Sequence, residues 1–213
     1  LRLLLIRHAQ TVWNAAGRVQ GQANPPLSET GVAQCRLLGE RFNGVHLDSL
    51  VTSDLERARL TAGAVSAATG AEVVLEPGLR EVGLGRWEGI DGETLRREHG
   101  DLYERWLAEP TWDLVPDGEG TEAFRDRVLG ALGQVVNGCP DDQTVAVVTH
   151  IGVIRLVLST VFGLDARVLR WPWAIDNTGI TSLAGPSDIS AWTTPALRVT
   201  AVNDAAHLRS AAA

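Results

Sequence analysis

The chain has 213 residues, 45% of them hydrophobic, which is enough for one well-buried core and somewhat more than a minimal domain needs. Its 19 basic and 26 acidic residues leave a net charge of −7, which argues against nucleic acid or an anionic membrane surface as the main partner. No apolar run approaches the roughly 18 residues that span a bilayer, and Leu1 to Ile6 is too short for a signal sequence and lacks its cleavage region, so a cytoplasmic protein is expected.

In chain order, Leu3 to Ile6 is a short continuous apolar run of the kind that forms a strand buried on both faces, and it stops at Arg7 and His8. After a loop containing Gly and Pro, Ser28 to Phe42 predicts a helix with Val32, Cys35, Leu38 and Phe42 on its core side. Leu47 to Thr52 is a second strand. Ser53 to Thr69 is a helix, with Ser53 and Glu56 in the capping-box pattern, and Ala71 to Leu75 a third strand. Between Gly78 and Gly120 the periodicity breaks down among Gly, Pro, Trp and charged residues. This segment is expected to be a cap insertion with short helices near Gly92 to His99 and Asp101 to Leu107. A helix follows from Thr121 to Val136 with Phe124, Val128, Leu132 and Val135 facing the core. Thr144 to Val148 is a strand ending at Thr149 and His150, and Val153 to Phe162 a helix. Ile180 to Leu183 and Leu197 to Val202 are closing strands. The alternation predicts one domain over residues 1–213, a three-layer α/β/α sandwich around a mostly parallel sheet with a small cap at about 78–120.

Lysine is absent, so every basic side chain is arginine and what matters is where each one sits. Arg7 and His8 follow the first strand, Arg57 lies in the first turn of the helix after the second, and His150 ends the Val-rich strand. Ligands of open parallel sheets bind at the carboxyl ends of strands, so these four side chains can converge on one crevice. Guanidinium forks match phosphate oxygens, and a capped helix starting near Ser53 would add free N–H groups and the positive end of its dipole. The two cysteines, Cys35 and Cys139, have neither metal-ligand nor redox spacing and are expected to be buried free thiols. No carboxylate and histidine cluster has metal-ligand spacing, so neither a metal nor another cofactor is expected.

The string LLLIRHAQTVWN, from Leu3 to Asn14, resembles the opening signature of the histidine phosphatase superfamily, which includes the cofactor-dependent phosphoglycerate mutases. The similarity continues in order through GRVQG, LSETG, SDLERARLTA, LREVGLGRWEG and VTHIGVIR, and so covers most of the chain. The resemblance implies His8 as the nucleophile, Arg7, Arg57 and His150 as ligands of the phosphoryl oxygens, and Glu81 as the proton donor. It places Thr11, Asn14, Gln20 and Gly21 near the phosphate; Asn177 matches a recurring element to which no catalytic role is given. The family often has glycine where this chain has Ala9, and two glycines where it has Ile151 and Gly152. Ile151 is therefore expected beside the phosphate, contributing its N–H and a branched side chain that shapes the pocket.

This set of residues fits a metal-independent phosphatase. Neighbouring positive charge keeps the imidazole of His8 neutral and nucleophilic, and the same charge stabilises in-line phosphoryl transfer. Family mutases typically continue the acidic motif as ERHYG, whereas Glu81 is followed by Val82, Gly83, Leu84 and Gly85. The phosphatase branch is favoured, with a mutase or a silent phospho-ligand binder as alternatives. The expected partner is a small-molecule phosphate ester, and homodimerisation is compatible with the sequence. GRVQGQ resembles glucosyl-3-phosphoglycerate phosphatases, while the size and the NDAAHL ending suit α-ribazole phosphatases. Trp13, Trp87, Trp106, Trp112 and Leu114 are expected to form an apolar wall over a bulky or aryl leaving group.

Overall fold

The Leu3–Ile6 run forms the middle of β1 (Arg2–Arg7), a strand with neighbours on both sides. The computed structural model describes residues 1–109, 111–164, 174–192 and 197–209. Within them, β1 joins β2 (Ser49–Thr52), β3 (Val73–Leu75), β4 (Thr144–Thr149), β5 (Ile180–Ala184) and β6 (Arg198–Asp204) in a six-stranded sheet of order β3-β2-β4-β1-β5-β6. The first four in that order run parallel, and β5 and β6 close the sheet as an antiparallel pair.

Both faces of the sheet are covered. Leu4 and Ile6 pack with Leu38 and Phe42, at the end of α2 (Glu29–Arg41), and with Ala62 and Val65 of α3 (Glu56–Thr69). Leu3 and Leu5 point the other way, toward Phe124, Val128 and Leu132 of α5 (Thr121–Val136) and Val153 and Val157 of α6 (Ile151–Val161). An unbroken apolar strand is the signature of a sheet sandwiched in this way, because alternate side chains enter two different cores. The three-layer α/β/α class is therefore as predicted. The short helices α1 (Val12–Ala15) and α7 (Ala206–Arg209) complete the outline.

The segment 78–120 carries two single 3-10 turns, Pro77–Leu79 and Gly85–Trp87, and α4 (Gly92–Ala108). Gly100 breaks α4 at φ 38°, ψ −114°, a backbone conformation that glycine tolerates best, so the two predicted helices are two halves of one kinked element. Trp87 is fully buried and meets Trp106 edge-on, with ring centroids 5.2 Å apart. Both rings belong to the apolar cluster that residues of α5 and α6 form on that face of the sheet, and so segment 78–120 packs there.

Several local expectations are corrected. Val32 is 61% exposed, because α2 turns only its Gly31 and Leu38 stripe inward. In α5, Val136 is fully buried, and Val135 packs against the core only partly buried. Cys35 and Cys139 are free but only partly buried. α6 begins at Ile151, two residues earlier than predicted, with His150 as its N-cap. The capping box at Ser53 does not form: α3 starts at Glu56 with Leu55 as N-cap and no side-chain cap, and Asn24 Oδ1 accepts the Glu56 N–H at 3.1 Å.

Register brings the strand exits together. Arg7 pairs with Thr149 and Thr52 with Val148, so β1, β2 and β4 end within a residue of one another. Beyond them, the His8 N–H donates to Thr149 O (2.8 Å) and the Ser53 N–H to Val148 O (3.0 Å). The loop after His8 is fastened by α2: the Ser28 N–H donates to Gln10 O (2.9 Å), and a Cβ on Gly31 would come within 2.0 Å of that same oxygen. Gly31→Ala is expected to lower stability by about 1–3 kcal/mol, as overpacking against rigid backbone does. An unchanged urea midpoint would contradict this account of the loop.

Candidate active site

His8 is 3% exposed, and its carbonyl accepts from Asn177 Nδ2 at 2.9 Å. Its Nδ1 lies 2.8 Å from Ala9 O, a contact that requires a proton on Nδ1 and so leaves the lone pair on Nε2. Burial, then the charges of Arg57 and Arg7, hold the ring's pKa well below the ordinary histidine value, and the imidazole is neutral. The backbone is fixed one residue on, where the Ala9 N–H donates to Thr61 Oγ1 (2.9 Å).

Three cationic or polar groups surround this ring. Arg7 donates from Nη1 to Ile175 O (2.6 Å). Arg57, in the first turn of α3, donates to Ala23 O (2.6 Å) and Gly21 O (2.8 Å), and so carries the loop that bears Gln20 and Gly21. His150 stacks at a tilt against His8, centroids 5.1 Å apart, with its Nε2 2.9 Å from Ser53 Oγ. Ser53 Oγ, which also accepts the Leu55 N–H (3.3 Å), thus occupies His150 Nε2, and His150 Nδ1 is left without a partner among the described residues. This is why the capping box fails: Ser53 is engaged with a histidine. Arg7 Nε, Arg57 Nε and His150 Nδ1 are all buried and have no hydrogen-bond partner among the described residues. Buried polar atoms are ordinarily paired, so three around one imidazole, two of them guanidinium N–H donors, mark a place for an anion. Burial, opposed chiefly by the charge of Glu81, pushes each of the two arginines down to about 10, still charged at neutral pH.

Glu81 closes the ring of groups. It is 8% exposed, and its carboxylate accepts from the Val82 N–H (3.0 Å) and, at the start of α6, from the Gly152 N–H (3.2 Å). A Cβ at position 152 would lie 2.1 Å from Glu81 Oε1. Of positions 151 and 152, 152 is thus the one where a side chain would displace the Glu81 carboxylate, and Ile151 is accommodated in the wall. Glu88 Oε1 accepts from both the Gln22 N–H (2.9 Å) and the Leu84 N–H (3.0 Å), tying the loop after α1 to the loop of Glu81.

A cavity of about 190 Å³ opens on these groups. Arg7, His8, Arg57 and Glu81 line it, as do the predicted Asn14, Gln20, Gly21 and Ile151. Two predicted residues do not. His150 is fully buried against His8, and Thr11 is fully buried as the N-cap of α1, where it binds Asn14 and donates to Gln20 Oε1 (2.9 Å). The apolar wall is also rearranged: Trp106 and Trp112 are joined by Val82 and Leu84, whereas Trp87, Trp13 and Leu114 lie outside the lining. The helix start that reaches the cavity belongs to α6, through Ile151 and Gly152, not to α3 beyond Arg57. Arg18 and Arg155 also line it, although sequence reasoning gave them no role. Arg155 stands four residues after Ile151, on the same face of α6, a spacing that could have revealed it.

Residues 3–192 match the histidine phosphatase superfamily (branch 1) model, and the chain belongs to that superfamily. It is 34% identical over 177 residues to phosphoserine phosphatase 1 of Hydrogenobacter thermophilus, covering 83% of each chain. It is 33% identical over 212 residues to the probable phosphoglycerate mutase GpmB of Citrobacter koseri, covering 98% of this chain and 95% of that one. A mycobacterial glucosyl-3-phosphoglycerate phosphatase in complex with VO3 superposes with a TM-score of 0.83 at 27% identity, over 95% of this chain and 98% of the other. Family, fold and named relatives together support phosphatase action.

The depressed histidines fix the sign of a pH effect. Unfolded, His8 and His150 take up protons near pH 6.5; folded, they do so only at much lower pH. Stability is therefore lost as pH falls through and below about 6.5, by ~1.4 kcal/mol per pH unit for each such group. Urea unfolding at pH 7.5 and 5.5 is expected to show a loss smaller by about 1.4 kcal/mol in His8→Asn than in the unchanged protein. Equal losses in the two would contradict a neutral buried His8.

Proposed function

We propose that the chain hydrolyses small phosphate monoesters by transferring the phosphoryl group to Nε2 of His8 and then to water. The observation that carries this reading is a neutral imidazole with its lone pair on Nε2, set among three buried nitrogens that have no hydrogen-bond partner among the described residues.

Nε2 attacks phosphorus as the ester P–O bond breaks. Arg7, Arg57 and His150 Nδ1–H donate to the equatorial oxygens, where charge accumulates. Protonated Glu81 gives its proton to the departing alkoxide. In the second half-reaction its carboxylate takes a proton from the water that displaces the phosphoryl group from Nε2, which releases inorganic phosphate and restores both groups. Thr11 holds Asn14 and Gln20 toward the phosphate without touching it.

Hydrolysis is favoured over mutase action by what surrounds the acid. Val82 and Leu84, the residues after Glu81 in the lining, are apolar, and Trp106 and Trp112 extend that surface. Such a wall suits a leaving group with apolar or aryl surface better than a small dianionic acid that must be held for return transfer. Phosphoserine, glucosyl-3-phosphoglycerate and α-ribazole phosphate form the first panel of natural monoesters to assay.

With EDTA present, an aryl phosphate is expected to release inorganic phosphate and to leave an acid-labile phosphoenzyme after rapid quenching. His8→Ala should abolish that adduct and reduce turnover on the order of 10³-fold or more. Metal-dependent release, or an adduct that survives in His8→Ala, would refute the scheme. Trp106→Ala is expected to raise KM for aryl phosphates more than for glycerol phosphate; equal changes would remove the leaving-group wall.

A further inference from the structure

Arg127 lies outside the cavity lining, on α5, and takes no part in the steps above. Its guanidinium nevertheless grips the backbone around Glu81. Nη1 donates to Gly78 O (2.9 Å) and Arg80 O (3.0 Å), and Nη2 to Glu81 O (3.2 Å). Glu119 holds the fork from the far side, accepting from Nε (2.6 Å) and Nη2 (2.7 Å). Glu119 also accepts the Gly83 N–H (3.0 Å) and donates its own N–H to Gly83 O (2.9 Å), so the pair embraces the chain on both sides of the acid.

After the single 3-10 turn at Pro77–Leu79, residues 80–84 belong to no helix or strand, and no ladder of secondary structure can fix Glu81. The same turn of α5 supports the carboxylate as well. Arg127 lies over the Phe124 ring at 5.4 Å, and Phe124 comes within 3.4 Å of where a Gly152 Cβ would stand, beside the N–H that Glu81 accepts. The side chains of Arg127 and Glu119 are only 24% and 16% exposed, and their contact is bidentate. It therefore differs from the loose surface ion pairs that contribute little.

We propose that Arg127, oriented by Glu119, is a positioning residue for proton transfer by Glu81, setting where the acid stands relative to the leaving oxygen. The proposal rests on the reading of Glu81 as proton donor. A lysine has no planar fork and cannot reach three carbonyls and a carboxylate at once, so arginine is required at 127.

The test compares kcat/KM, which reports departure of the leaving group, for glycerol phosphate and 4-nitrophenyl phosphate; the latter hardly needs a proton. Arg127→Met is expected to lower kcat/KM for the alkyl ester about 10²-fold, the scale of an ångström-sized misplacement, and for the aryl ester several times less. Arg127→Lys should fall between, and Glu119→Gln should move the ratio the same way by less. In a Glu81→Gln background the alkyl-selective loss should vanish, because no acid is left to position. Equal losses on both esters, or an alkyl-selective loss that persists without Glu81, would overturn the proposal. Should Glu81→Gln alone slow both esters equally, the assignment of the acid fails and this proposal falls with it. Selective Glu81→Gln with non-selective Arg127→Met removes only the positioning role. Circular dichroism monitors folding, and if Arg127→Met is unfolded the Glu119→Gln comparison decides.

Discussion

The site is governed by the cost of holding positive charge away from water. Two guanidinium groups and an imidazole crowd around His8, and the acid among them is Glu81. Removing such charges from solvent costs several kcal/mol each unless polar groups answer them. The protein answers them in part with backbone carbonyls: Ile175 for Arg7, and Gly21 and Ala23 for Arg57. One nitrogen of each remains for a ligand. Burial and the same field keep His8 unprotonated, so its neutral state follows from the architecture of its neighbours rather than from the residue itself.

That architecture is largely one of loops bound to loops. Arg57 draws in residues 21–23, Glu88 joins that loop to the one bearing Glu81, and Arg127 with Glu119 anchors the latter to α5. The sheet supplies only the strand ends on which this rests. Glycine appears where two of these parts approach too closely for a side chain, as at Gly152 against Glu81 and at Gly21 against Glu88.

Much of this was legible in the residues. The apolar runs located the strands, and the strings around Arg7, Arg57, Glu81 and His150 picked out residues that the fold gathers around His8, because both depend on neighbours close in sequence. What escaped depends on tertiary partners. Ser53 and Glu56 spell a capping box, but the hydroxyl is drawn instead to His150, 97 positions away. Thr11 matched a site motif yet turns inward as a helix cap, and Arg127 reads as an ordinary charge on the flank of an amphipathic helix until the loop it grips is in view. Trp87 was one of several tryptophans in segment 78–120, and only packing separates it, fully buried, from Trp106 in the cavity wall. The strand order β3-β2-β4-β1-β5-β6 is likewise a matter of pairing that no local pattern encodes.

β1 pairs with β4 and β5, whose first residues lie more than 130 positions further along the chain. Contacts of such long range form late and slowly. A nascent chain therefore holds its strand of Leu and Ile without a strand neighbour until β4 has been made, an open invitation to chaperones or to aggregation. The imidazole behind that strand acquires its full surroundings only when His150 and Asn177, the latter 169 positions further along, have left the ribosome. A partly made molecule is thus both sticky and inert.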